Sequence, residues 1–277
     1  MTTQTSTVAA PSPAESSIDM TPQLTVRALQ QWWALSGRGV SKVLRGGEAV
    51  FALVSPVLVS LCFYLPLRSI MDMAPGMNYG QFLMPIVFLQ SINFAASSAA
   101  MRAAFDGAQG INTRFRVLPM SPLVPMLART ATNGVLLLMS LVCATLASLA
   151  IGWRPGGGFW GTLGLFAFAG LIGVLFAWVA DGIGLVAGSP EATSQALSLP
   201  TLILGMMSTG LVPLSEFPEW IQPFVRNQPI SQFADSMRAL DAGTATWHLL
   251  TPSLWWCTGL AVTALVLLAV STRRTRG

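Results

Sequence analysis

Apolar positions in this chain come in long blocks, not in the alternation of a half-buried strand or the one-sided stripe of a soluble helix. Six blocks, 49–67, 73–101, 130–153, 155–180, 192–215 and 242–272, contain no Asp, Glu, Lys or Arg and run from 19 to 31 residues. A helix rises about 1.5 Å per residue, so roughly 20 apolar residues cross a hydrocarbon core about 30 Å thick. A helix on a soluble core keeps a charged face and does not go that long without one. The pattern predicts an all-α polytopic membrane protein with six transmembrane helices.

Composition supports this class: 53% of residues are hydrophobic and the mean hydropathy is +0.62. Small residues recur in the fourth block (Gly161, Gly164, Ala167, Gly170, Gly173), a spacing that lets membrane helices approach closely. Cys62, Cys143 and Cys257 all fall inside blocks, without CxxC spacing or a neighbouring His, which argues against a disulfide framework or a metal site.

The net charge of +4 is not gathered into a patch that would take nucleic acid. It alternates between connections. Arg27, Arg38, Lys42, Arg45, Arg102, Arg114, Arg116, Arg129, Arg273, Arg274 and Arg276 fall on one side; Arg68, Arg154, Arg226 and Arg238 fall on the other. The positive-inside rule then places the protein in the cell membrane with both termini cytosolic. Eight of the nine Trp lie near block ends or on surface segments, as an interfacial belt would.

The remaining segments divide the chain further. Residues 1–21, rich in Ser, Thr, Pro and Ala, read as a disordered cytosolic tail without a cleavable signal peptide, and 273–277 as a basic cytosolic tail. Residues 22–45 mix Trp32, Trp33 and aliphatics with Arg and Lys, which suits an amphipathic helix in the cytosolic interface, broken at Gly37 and Gly39. The cytosolic connection 102–122 carries Ile111, Phe115, Val117 and Leu118 among its Arg, a composition that suits docking better than solvation. In the outer segment 214–242, Ile230, Phe233, Ala234, Met237 and Leu240 mark one helix face, with Ser231 as cap, Asp235–Arg238 paired on the polar side and Gly243 past the end. A membrane-surface or partly re-entrant amphipathic helix is expected there.

Energy-supplying chemistry is not legible in the chain. Its one Lys, Lys42, precedes Val43, so a P-loop is excluded. Gly205–Gly210 (GMMSTG) has the wrong spacing for a hydrolase elbow, and Ser208 reads as a helix-packing residue. His248 reads as interfacial. Asp181 falls about 33 Å along the fourth span, at the cytosolic boundary where a solvated or Arg-paired acid is cheap, so a proton-coupled carrier is disfavoured.

Residues 189–240 resemble the ABC-2 type permeases, and within them the daunorubicin-resistance drug and lipid exporters. The likeness is carried by Val212–Leu214, Pro218, Trp220, Pro223–Phe224, Gln228–Pro229 and Arg238, and by Asp106–Gly107 with Leu118–Pro119–Met120–Ser121. Gln228 stands where Asn is more usual and Asp106 where Glu is commoner. The mycobacterial permease pair linked to phthiocerol dimycocerosate export is similar. The resemblance implies a type V exporter-like fold over 46–272, and a permease moving a lipid or amphiphilic drug outward. It implies no cofactor in this chain, two copies of a separate ABC ATPase that use ATP and Mg, and a sister permease or second copy of itself. It also implies ATPase coupling through Asp106, Gly107, Arg114, Phe115, Arg116, Leu118 and Pro119, and an outer gate at Trp220, Pro229, Ile230, Phe233, Met237 and Arg238. The alternatives are a polysaccharide exporter, whose channel calls for aromatics where these blocks favour Leu, Val, Ala and Gly, and a non-transporting membrane scaffold.

Overall fold

The computed structural model describes residues 21–71, 78–111 and 123–274, with side chains inside 28–66, 78–111 and 124–271. Among them lie nine α-helices, one short 3₁₀ turn and no strand. In order they are α1 (Thr21–Arg45), α2 (Gly47–Met71), α3 (Tyr79–Ala108), α4 (Leu123–Ala150), α5 (Gly158–Ala187), α6 (Pro190–Met206), α7 (Gln222–Asn227), α8 (Pro229–Asp241) and α9 (Trp247–Arg274). Of these, α2, α3, α4, α5 and α9 are long and apolar enough to cross a membrane. The fifth apolar block, 192–215, behaves differently: its helix α6 has 17 residues and stops at Met206, with Pro200 inside it. At 1.5 Å per residue it covers about 25 Å, the lower limit of a span.

Several helices outrun their charge-free blocks because the charges that bound those blocks are partnered. α3 continues through Arg102, which pairs with Glu48 at the start of α2. α4 includes Arg129, whose guanidinium lies 3.2 Å from Asp106 of α3. α5 continues through Asp181 to Gly188, whose positive φ of 75° ends the helix in the left-handed conformation. The chain restarts at once: Ser189 caps α6 by accepting from the Ala192 amide at 3.2 Å, with Pro190 in the first turn.

α3 is the central helix. Leu83, Met84, Phe88 and Ile92 are buried on it, and Phe88 meets Trp153 edge-on at 6.1 Å between centroids. Trp153 is 1% exposed and belongs to the core, not to an interfacial belt; Trp160, Trp220 and Trp247 lie at the surface. Where α3 turns its alanine face (Ala99, Ala100, Ala103) to α5, Gly184 sits against the Ala100 carbonyl, and a Cβ there would collide with backbone.

α1 runs unbroken through Gly37 and Gly39, against the expectation of a break. Packing accounts for this: α1 lies along α4, and a side chain at Gly39 would strike Thr132. Val43 and Ser36 face the bundle, whereas Leu29 and Trp33 are exposed.

Candidate functional site

A cavity of about 560 Å³ lies between α3 and α6, bounded by Phe63 of α2 and by Leu211. α3 contributes Gln90, Ser97 and Met101; α6 contributes Ser194, Leu197, Ser198, Thr201, Leu202 and Met206. The Thr201 hydroxyl reaches Asn93 Oδ1 at 3.4 Å, so hydrogen-bonding groups occur along both walls. No charged side chain lines it. The lining alternates amide and hydroxyl groups with aliphatic and thioether ones, which suits an amphiphilic molecule. Neither wall was legible as a site in the sequence. The available signal was the hydroxyl-rich stretch Ser194–Thr201, unusually polar for a charge-free block.

The turn that follows α6 needs partners, because its backbone groups lie outside a helix and lipid supplies none. α8 provides them. Gln228 Nε2 donates to the Met207 carbonyl, and the Ser231 hydroxyl accepts from the Thr209 amide at 3.0 Å. Arg238 Nη2 donates to the Thr209 carbonyl at 2.8 Å and to Phe82 O on α3 at 3.1 Å, and its Cζ lies 3.9 Å from the Phe82 ring centroid. Asp235 Oδ1 accepts from Arg238 Nη1 at 2.9 Å and from the Thr209 hydroxyl at 3.2 Å. Burial pushes Asp235 above the usual carboxylate range against the pull of Arg238, and pushes Arg238 below its ordinary value against the pull of Asp235.

Most of α8 is therefore inside the protein, with Asp235 at its exposed edge. Ile230, Phe233 and Met237 are buried, and Phe233 meets Phe168 and Phe176 of α5 edge-on at 6.2 and 6.3 Å. Ser231, expected as a cap on a solvated side, is fully buried; the N-cap residue is Gln228 with Pro229 first in the helix. Trp256 Nε1, nine residues into α9 and so about 14 Å along it, donates to Asn227 O, which sets the start of α8 beside the third turn of α9. Trp220 stays at the surface, 80% exposed and apart from this cluster.

α8 ends in a Schellman motif: the Thr244 amide donates to Ala239 O and the Gly243 amide to Leu240 O, with Gly243 at φ 68°. Gly157 and Gly161 of the α4–α5 corner sit against the Leu240 carbonyl with no room for a Cβ. Gln81 of α3 donates to Asp241, and its amide also exchanges hydrogen bonds with Arg154 at 2.9 Å each. Burial raises Asp241 above the usual carboxylate range, opposed by the Trp153 indole, Gln81 and the Gly156 amide.

At the opposite end of the bundle, Arg102 Nη2 donates to Asn133 Oδ1 at 2.8 Å and Asn133 Nδ2 donates to Asp181 at 2.9 Å. Asp181 is buried, not solvated, and the chain Glu48–Arg102–Asn133–Asp181 joins four helices. Sequence spacing could not reveal a partner 48 residues away. Asp106 pairs with Arg129, and Gly107 is exposed in the last turn of α3. Arg114, Phe115, Arg116, Leu118 and Pro119 lie outside the described residues.

Five helices long and apolar enough to cross a membrane, a short helix buried among them and an uncharged groove define a multi-pass helical membrane protein. The match of residues 50–270 to the ABC-2 family transporter protein family shows that this chain belongs to that family. It is 36% identical over 240 residues to the doxorubicin resistance ABC transporter permease protein DrrB of Mycobacterium tuberculosis, covering 82% of this chain and 83% of that protein. The probable doxorubicin resistance permease DrrC of the same organism is 24% identical over 223 residues, 80% of each chain. The daunorubicin resistance permease DrrB1 of Streptomyces coeruleorubidus is 27% identical over 168 residues, 61% of this chain and 59% of that one. The protein is thus a multi-pass ABC-2 permease, of a kind that works with an ABC ATPase.

Proposed function

We propose that this chain is the membrane subunit of an ATP-driven exporter that takes an amphiphilic drug or lipid from the inner leaflet and releases it outside. The observation that carries this reading is the groove between α3 and α6, long, uncharged and studded with hydroxyl and amide groups. An anthracycline, with a flat apolar body and several hydroxyls, has that chemistry, and the relatives are named for resistance to such drugs. Both termini and α1 lie on the cytosolic side, where the excess of Arg and Lys falls. The outer segment, with Pro229, Ile230, Phe233, Met237 and Arg238 in the bundle and Trp220 at the interface, forms the exit. Two copies of an ABC ATPase, using ATP and Mg, act on the connection 102–122, and a sister permease or second copy of this chain completes the path.

The test is doxorubicin efflux from cells or vesicles carrying this chain, with and without a co-expressed ABC ATPase. ATP-dependent efflux that needs both subunits is the expected result. Copurification of the pair without efflux of any anthracycline or lipid analogue would overturn the export reading.

A further inference from the structure

The turn that follows α6 closes the groove at the α8 end. Leu211 lines the cavity, and Gly210, next to it, packs against Ile86 of α3. One side chain spans the two walls there. Arg238 donates to Phe82 O on the α3 wall and to Thr209 O and Gly210 O, at 2.8 and 3.3 Å, on the turn that continues the α6 wall. We propose that Arg238 is a positioning residue that latches α3 to the turn 207–211 and so holds the exit of the groove shut. This rests on the reading of the groove as the export path.

Three features separate a latch from a plain structural bond. First, all its acceptors on the two walls are backbone carbonyls, so the contact depends on no other side chain of either wall. Second, a planar guanidinium can reach several carbonyls at once, which an ammonium cannot. Third, Asp235 lies one turn back on the same helix and accepts from Nη1 at 2.9 Å. When the walls part, the partly buried cation keeps this counter-ion and is not left unpaired. The Thr209 hydroxyl bonds the same carboxylate oxygen, so the turn also has a partner to return to.

The contact can be read directly. A Cβ at Gly210 would lie 3.3 Å from Ile86 Cβ, close to disulfide geometry. In a chain whose Cys62, Cys143 and Cys257 are replaced by Ala, the pair Ile86→Cys and Gly210→Cys should oxidise readily with Arg238 present. Arg238→Gln should slow that oxidation at least tenfold, and Arg238→Lys should recover only part of the rate. A second pair at the other end of the bundle, Gly39→Cys and Thr132→Cys, reports on global loosening, since a Cβ at Gly39 would lie 3.4 Å from Thr132 Cβ. Slowing confined to the 86–210 pair supports the latch. An unchanged rate in Arg238→Gln, or equal slowing of both pairs, would overturn it. The measurement needs neither drug nor ATP, so it can fail while the export reading stands, and loss of efflux in the earlier assay leaves it unaffected.

Discussion

Asn133 Nδ2 lies 2.9 Å from the Asp181 carboxylate, joining α4 to α5 where both side chains are buried. Asn133 also accepts from Arg102, so one amide serves an acid and a base on two different helices. Removing it takes the amide donor from Asp181, while Arg102 keeps Glu48. Leaving a buried charged group without its hydrogen bond costs about 1–3 kcal/mol or more. Asn133→Leu should therefore lower the melting temperature of the purified permease. Asn133→Leu with Asp181→Leu, which removes the stranded acid, should recover part of the loss. The check is thermal unfolding in detergent followed by Trp fluorescence; a double variant no more stable than the single one would contradict the linkage.

Glycine positions on α5 separate close approach from mere helix content. At Gly161 an added Cβ would lie 2.6 Å from the Leu240 carbonyl, whereas at Gly170 there is nothing within 4 Å. Gly161→Ala should destabilise by about 1–3 kcal/mol, the usual cost of overpacking. Gly170→Ala should stabilise slightly, because Ala is about 1 kcal/mol better than Gly in a helix. Opposite signs in the same unfolding assay are the expected result.

Phe233 is fully buried against two Phe of α5, and Phe233→Ala should cost about 3–5 kcal/mol. Ser231→Asp should also be severe, since it places a second carboxylate beside Asp235 in a buried site. Trp220→Ala, at the surface, should be mild. Expression and gel-filtration profiles of the three variants provide the test.

Asp241 gives a pH dependence of the less common sign. Its folded value lies above the unfolded one, so the folded state holds the proton more tightly. Stability from this group is present at low pH and is lost as pH rises from the ordinary carboxylate value of 3.8 through the raised folded value. Asp241→Asn should flatten that fall and leave the protein at least as stable at neutral pH, measured as melting temperature across the acid range.

Phe115 is the apolar residue flanked by two Arg in the connection 102–122. If that connection docks on an ATPase, truncating a buried aromatic anchor costs about 2 kcal/mol or more of binding. Phe115→Ala should insert normally but copurify poorly with the ATPase. Normal copurification of Phe115→Ala with Leu118→Ala would rule out docking through this connection.

How much of this was legible beforehand varies with the physics involved. The long helices follow from hydropathy alone, since nothing but a helix can bury 20 apolar residues in lipid. The Asp235–Arg238 pair and the end of α8 at Gly243 follow from local spacing. The break expected at Gly37 and Gly39 failed because propensity was weighed without the neighbour: Gly39 is where α1 touches Thr132. Ser231 reads as a cap on the polar side because amphipathicity shows only that two faces differ, not what covers the second one. Here the turn after α6 covers it. Trp153 went to the belt by position along the chain, while a fold that turns sharply at Gly152, φ 105°, carries it inward.

The glycine corner between α5 and α8 has a mechanical consequence. Gly157, Gly161 and Gly243 bring two backbones together with no side chain between them to rotate or slide. Such a joint has no intermediate settings: it is seated or it is parted. Whatever motion the exit makes, α5 and the last turns of α8 travel as one stiff piece, and the slack needed for movement is left to the thinner turn around residues 207–213, where side chains carry the load.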